Sequence, residues 1–150
     1  MATIKTSPRS EQFNALCENT VAFSEKNDCS VKAVALVCGV SYDVAHAEMA
    51  KQGRKKGRGA STTSIELACI ALGKNLNPVN PRSVIAQYPG VHKNLQNVTT
   101  HHPARFADVW KDGKTYLAYI KGHVLAVVDG QVHDWTVGRA KRIYRIREVV

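Results

Sequence analysis

Asn27-Asp28-Cys29-Ser30-Val31-Lys32-Ala33-Val34-Ala35-Leu36-Val37-Cys38 is a helix-forming run that opens on a cysteine. Asn27 or Asp28 can cap it, because either side chain accepts a hydrogen bond from a free N–H of the first turn. On a wheel of about 100° per residue, Val31, Val34, Ala35 and Cys38 form one apolar stripe, while Ala33 and Leu36 lie on the opposite side with Cys29. A helix apolar nearly all round is buried on all sides. This one is therefore expected at the centre of the fold, with Cys29 at its positive end. There, unpaired N–H groups and the helix dipole stabilise a thiolate and make a nucleophile. The competing reading is a structural cysteine, since free Cys is among the most buried residue types.

The other cysteines fit that bland reading better. Cys17, Cys38 and Cys69 fall on apolar helix faces, and none of the four forms a C-x-x-C pair. The chain of 150 residues suits one domain, 1–150. It has no apolar run long enough to cross a membrane, and its first residues lack the apolar core of a signal peptide. A cytoplasmic protein with no membrane partner is the expectation. A formal charge of +9 points toward an acidic partner or nucleic acid.

Outward from the cysteine helix, the N-terminal half reads as helical. Ser7-Pro8 opens a first helix carrying Phe13, Leu16 and Cys17. Gly39 ends the cysteine helix, and Ser41 caps a third helix to about Gln52, with Tyr42, Ala45, His46 and Met49 on one face. Thr63 and Glu66 form a capping box for a fourth, ended by Gly73. Between the last two lies Gly53-Arg54-Lys55-Lys56-Gly57-Arg58-Gly59, read as a flexible, exposed loop. Arg54, Lys55, Lys56 and Arg58 are its candidate anion or partner contacts. It is not a P-loop, lacking G-x-x-x-x-G-K-[ST]. Residues 74–98 read as a linker, and 103–110 as a short helix. Adjacent His101-His102 make a poor metal pair, so no metal and no cofactor is expected.

The C-terminal part reads as an antiparallel meander: 115–120, 123–128, 131–137 and 142–150. Helices first and strands after give α+β. Asp129-Gly130 is a hairpin turn that sets Val128 against Gln131, Val127 against Val132, Leu125 against Asp134 and His123 against Thr136. Alternation then puts His123, Leu125, Val127, Val132 and Asp134 on one face, with His133 and Trp135 on the other. Diagonal neighbours are within reach of each other, so Asp134 can orient His123. The small Ala33 beside Cys29 would let this face approach the thiol. Cys29, His123 and Asp134 together form a nucleophile, base and orienter. The Cys29 backbone N–H is one oxyanion donor, and Asn27 is the nearest amide for a second; Gln12, Asn14 and Asn19 are further options.

In order and spacing these residues resemble the papain-like cysteine peptidase superfamily, particularly its small bacterial branches such as bacteriocin-processing peptidases. There an Asp-Cys pair opens the central helix, and a Gly-His strand precedes an Asp on the next strand. Transglutaminase-like proteins share the order. Asn27-Asp28-Cys29 with Lys32-Ala33, Gly53-Arg54, and Lys121-Gly122-His123 through Asp129-Gly130 to Asp134 also look like small tailed-phage and prophage proteins. The resemblance covers roughly residues 25–136. It implies a papain-like fold, a thiol hydrolase of peptide, isopeptide or amide bonds with a protein or peptide substrate, and a host-cytoplasmic location if phage-encoded. Phe23 stands where papain-like enzymes usually have an oxyanion Gln, and Ser30 where bacteriocin-processing peptidases have Gly. Deamidase, acyl transferase and an inactive basic binding module remain the alternatives.

Overall fold

The computed structural model describes residues 9–79, 100–101, 113–129, 131–135, 141–143 and 145–150. Helices α1 (Glu11–Ala22), α2 (Cys29–Cys38), α3 (Tyr42–Lys51) and α4 (Thr62–Ala71) come first. Strands β1 (Leu76–Val79), β2 (Thr100–His101), β3 (Thr115–Ile120), β4 (His123–Val128), β5 (Gln131–His133), β6 (Lys141–Arg142) and β7 (Arg145–Val149) follow. The fold is α+β. Five strands form an antiparallel sheet in the order β1-β7-β3-β4-β5, and β2 pairs with β6 separately. No helix among the described residues is long and apolar enough to cross a membrane.

Helix α2 is the centre of the packing. Val31 and Val34 are fully buried, and Ala33, Ala35, Val37 and Cys38 nearly so. They share one core with Leu16 of α1, Tyr42, Ala45 and Met49 of α3, Ile65, Ala68 and Cys69 of α4, and the sheet residues Leu117, Tyr119, Val124 and Ala126. The second sheet face, with Tyr116, Ala118, Leu125, Val127, Val132 and Ile146, makes a separate cluster that includes Ile143. Burying a Val or Leu side chain is worth about 1.5–3 kcal/mol, so α2, with apolar residues on all sides, is held between two layers.

Several local expectations shift. The first helix starts at Glu11, not at Ser7-Pro8, because Ser10 is the cap and accepts from Phe13 N at 3.1 Å. Ser61, not Thr63, caps α4, accepting from Ser64 N at 3.1 Å. Glu66 is drawn away from the expected capping box to the sheet, where it bonds Tyr119 and Arg145. The supposed linker after Gly73 contributes the edge strand β1. The C-terminal strands do not form a simple meander, because β7 pairs with β3 on the side away from β4. The third strand stops at His133 instead of running to Val137. The short helix expected at 103–110, His102, Thr136 and most of the linker lie outside the described residues.

Candidate active site

Cys29 is the first residue of α2, and Asp28 occupies the cap position without capping. The Asp28 carboxylate is turned away by stronger partners. Thr20 Oγ1 and Tyr42 OH donate to its Oδ2 at 2.6 and 2.7 Å, and Lys32 Nζ lies 3.3 Å from Oδ1. Burial pushes the Asp28 carboxyl up, but these three partners outweigh it and hold it below its usual range. Asp28 thus ties α1, α2 and α3 together one residue before the thiol. The first-turn N–H groups of α2 donate no hydrogen bond to its side chain. They remain a positive surface beside the sulfur.

The histidine arrives by a route that turn geometry explains. Lys121-Gly122 closes a two-residue hairpin in which Ile120 pairs with His123, with Gly122 at φ +67° supplying the left-handed residue. In an antiparallel ladder, hydrogen-bonded and non-hydrogen-bonded pairs alternate. The closing pair is bonded, so Val124 directs its N–H to the other edge of β4. On that edge β5 pairs only with Ala126, Val127 and Val128. The start of the edge is therefore open, and Cys29 lies beside it, where the Val124 N–H and the His123 ring both act to lower its thiol pKa. The sheet comes close to α2 as expected, but not by the face that carries His123. Helix α2 packs on the opposite face, against Val124 and Ala126, and thiol and imidazole meet at the strand's end.

Asp134 follows immediately after β5 and is buried, with Oδ2 2.7 Å from His123 Nε2. That contact leaves Nδ1 for the sulfur. The hairpin pairs as expected at Val128–Gln131 and Val127–Val132. His133 points away from His123, its Nδ1 2.6 Å from Ser10 Oγ. Trp135 does not follow it. The chain bends at Asp134, alternation lapses, and the indole packs on His123 with ring centroids 5.3 Å apart.

The electrostatics of the pair are complementary. Burial pushes the Cys29 thiol up, but the hydrogen bonds from His123 and Val124 and the charge of His123 bring it below its ordinary value. Burial pulls His123 down, but Asp134 and the Cys29 sulfur more than reverse this and push it up to about 9. Both directions favour a thiolate–imidazolium pair near neutral pH. Cys29 is only partly buried, and it opens into a cleft of about 460 Å³.

The basic loop is not uniformly solvated. Arg54 is buried and makes a two-pronged contact with Glu25, at 2.9 and 3.1 Å. It is therefore a structural ion-pair partner and not an exposed anion contact. His46 Nε2 lies 2.6 Å from the same carboxylate and Gly57 N donates to it at 2.9 Å. Asn27, at φ +52°, donates from Nδ2 to Gly57 O at 3.0 Å, so the amide expected at the oxyanion position spends one of its N–H groups on this loop. Lys55, Lys56 and Arg58 are exposed.

Sequence reasoning missed three contributors. The Glu25–Arg54 pair carries no local signature, since its partners are 29 residues apart. Trp135 was set on the wrong side by strict alternation. The Val124 N–H was within reach, because the parity of the Lys121-Gly122 turn predicts it. Among the described residues no group of three or more His, Cys, Asp or Glu side chains could hold a metal ion. Comparison of the chain with protein-family models, curated proteins and solved structures finds no match.

Proposed function

We propose that the protein is a thiol hydrolase of papain-like type acting on a peptide, isopeptide or amide bond. The observation that carries this reading is that Cys29, His123 and Asp134 line one cleft, with Asp134 Oδ2 2.7 Å from His123 Nε2 and the imidazole lowering the Cys29 thiol pKa. Cys29 attacks the carbonyl carbon as a thiolate, and its backbone N–H faces the oxygen on which charge develops. The C–N bond breaks as the His123 imidazolium gives its proton to the departing nitrogen. The neutral imidazole then takes a proton from water, whose oxygen displaces the sulfur from the thioester and releases the acid. Asp134 holds the ring in the orientation both steps need.

p-Nitrophenyl acetate tests the cycle without knowledge of the natural substrate. Acetylation should map to Cys29 by intact and peptide mass spectrometry, turn over with time, and slow by on the order of 10²–10⁴-fold in His123→Ala. Acetylation spread over the surface lysines, or an acetyl-Cys29 that never hydrolyses, contradicts the reading. A second reading is a basic binding module that keeps the fold without the chemistry; the exposed Lys55, Lys56 and Arg58 favour it. It predicts no turnover and no dependence on His123.

A further inference from the structure

Two cavities flank the thiol. The one of about 460 Å³ includes Phe13, Asn27 and Trp135, and the other, about 360 Å³, includes Ser30, Ala60, Ile65 and Tyr119. Cys29, His123, Gly59 and Gly122 belong to both. The sulfur thus lies where two cavities adjoin, beside two residues without side chains. Two adjoining cavities about one sulfur suit an extended chain better than a compact molecule. Ser30 also borders the second cavity, its hydroxyl buried and without a hydrogen-bond partner among the described residues.

The chain beside each of these glycines is cationic. Lys55, Lys56 and Arg58 lead into Gly59, and Lys121 precedes Gly122; all four are exposed and none has an ion-pair partner among the described residues. The acidic groups near the cleft are already engaged, Asp28 by Lys32, Thr20 and Tyr42, and Asp134 by His123. The loop wall is also fixed in place: Arg54 and Gly57 are both anchored to the buried Glu25 carboxylate. The basic side chains are thus displayed from a held segment, at less entropic cost on binding than from a free one.

We propose that the substrate of this site is an acidic, extended polypeptide segment that passes between Gly59 and Gly122, its carboxylates facing Lys55, Lys56, Arg58 and Lys121. The proposal rests on the thiol-hydrolase reading above. A polypeptide is favoured over a nucleic acid on two grounds. The second cavity is lined largely by apolar side chains, and the loop offers no aromatic platform for bases.

Protection of Cys29 from iodoacetamide tests it, with neutral reagent and polymer probes read by mass spectrometry. A glutamate–alanine copolymer should slow alkylation of Cys29 at low salt, whereas a lysine–alanine copolymer of equal length should not. Added salt should relieve the protection. Combined Lys55→Glu, Lys56→Glu and Arg58→Glu substitution should raise the protecting concentration about tenfold or more. Equal protection by the two copolymers, or none by the acidic one while Cys29 still alkylates in a His123-dependent way, overturns the substrate class and leaves the hydrolase reading standing. Protection by an oligothymidylate as good as that by the acidic copolymer assigns the rim to nucleic acid and overturns it too. Cys29 alkylation indifferent to His123→Ala removes the underlying reading itself.

Discussion

At Cys29 three contributions converge on one sulfur: the amino end of α2, the Val124 N–H and the His123 ring. Each arises from a different part of the chain, and each favours the anion. The first was legible in the sequence, since Asn27-Asp28-Cys29 before an apolar run marks a helix start. The His123–Asp134 pair was legible as well, because reading Asp129-Gly130 as a turn sets Val127 against Val132, the register that is found. What could not be read locally was the bend at Asp134, which brings Trp135 onto His123. The pair makes a pH prediction. His123 is pushed up to about 9, so the imidazolium that would protonate a leaving nitrogen is lost as pH rises through that value, and cleavage of an amide substrate should fall on its alkaline limb there. Asp134→Asn removes the largest influence raising the ring, and the limb should move down toward the ordinary imidazole value near 6.5. A pH–rate profile of both proteins checks it; an alkaline limb unmoved by the substitution counts against Asp134 as the positioning residue.

At the scale of elements, the loop after α3 is the clearest case of tertiary structure overriding a compositional reading. Four cations and three glycines in seven residues suggest a solvated loop, yet Arg54 is buried and the loop closes over Glu25. The Arg54 guanidinium holds the Glu25 carboxyl well below the usual carboxylate range, against the opposing effect of burial. A depressed carboxylate contributes stability above its unfolded value, near 4.5, and that contribution is lost as pH falls below it. Arg54→Met leaves a buried carboxylate short of its main partner and should cost about 3–5 kcal/mol at neutral pH. The deficit should shrink in acid, because Glu25 is protonated in the folded variant sooner than in the parent. Urea denaturation across pH measures both; a loss below about 1 kcal/mol would place the pair among weak surface bridges. Helix boundaries were readable to within a few residues, as at Ser41 and Gly39. They failed where a side chain had a better distant partner, as Glu66 has in Tyr119 and Arg145.

Across the whole molecule, the order of helices then strands predicts α+β, and the sheet and four helices agree. The strand order β1-β7-β3-β4-β5 was not predictable from hairpin signals, which report only sequential neighbours such as β3–β4 and β4–β5. Pairing of β7 with β3, and of β1 with β7, joins segments far apart in the chain. This topology gives the site its rigidity: β4 lies inside the sheet, so the strand carrying His123 is backed by β3, while β5 ends early enough to leave the Val124 edge to α2. The proposed chemistry requires this assembly to make Cys29 a thiolate near neutral pH, which the rate of iodoacetamide alkylation as a function of pH measures. Cys17, also partly buried, serves as the reference within the same molecule. Cys29 should reach its full rate below the pH at which an ordinary thiol does, and His123→Ala should return it to ordinary behaviour. A Cys29 alkylation profile that is unchanged by His123→Ala would contradict the thiolate reading.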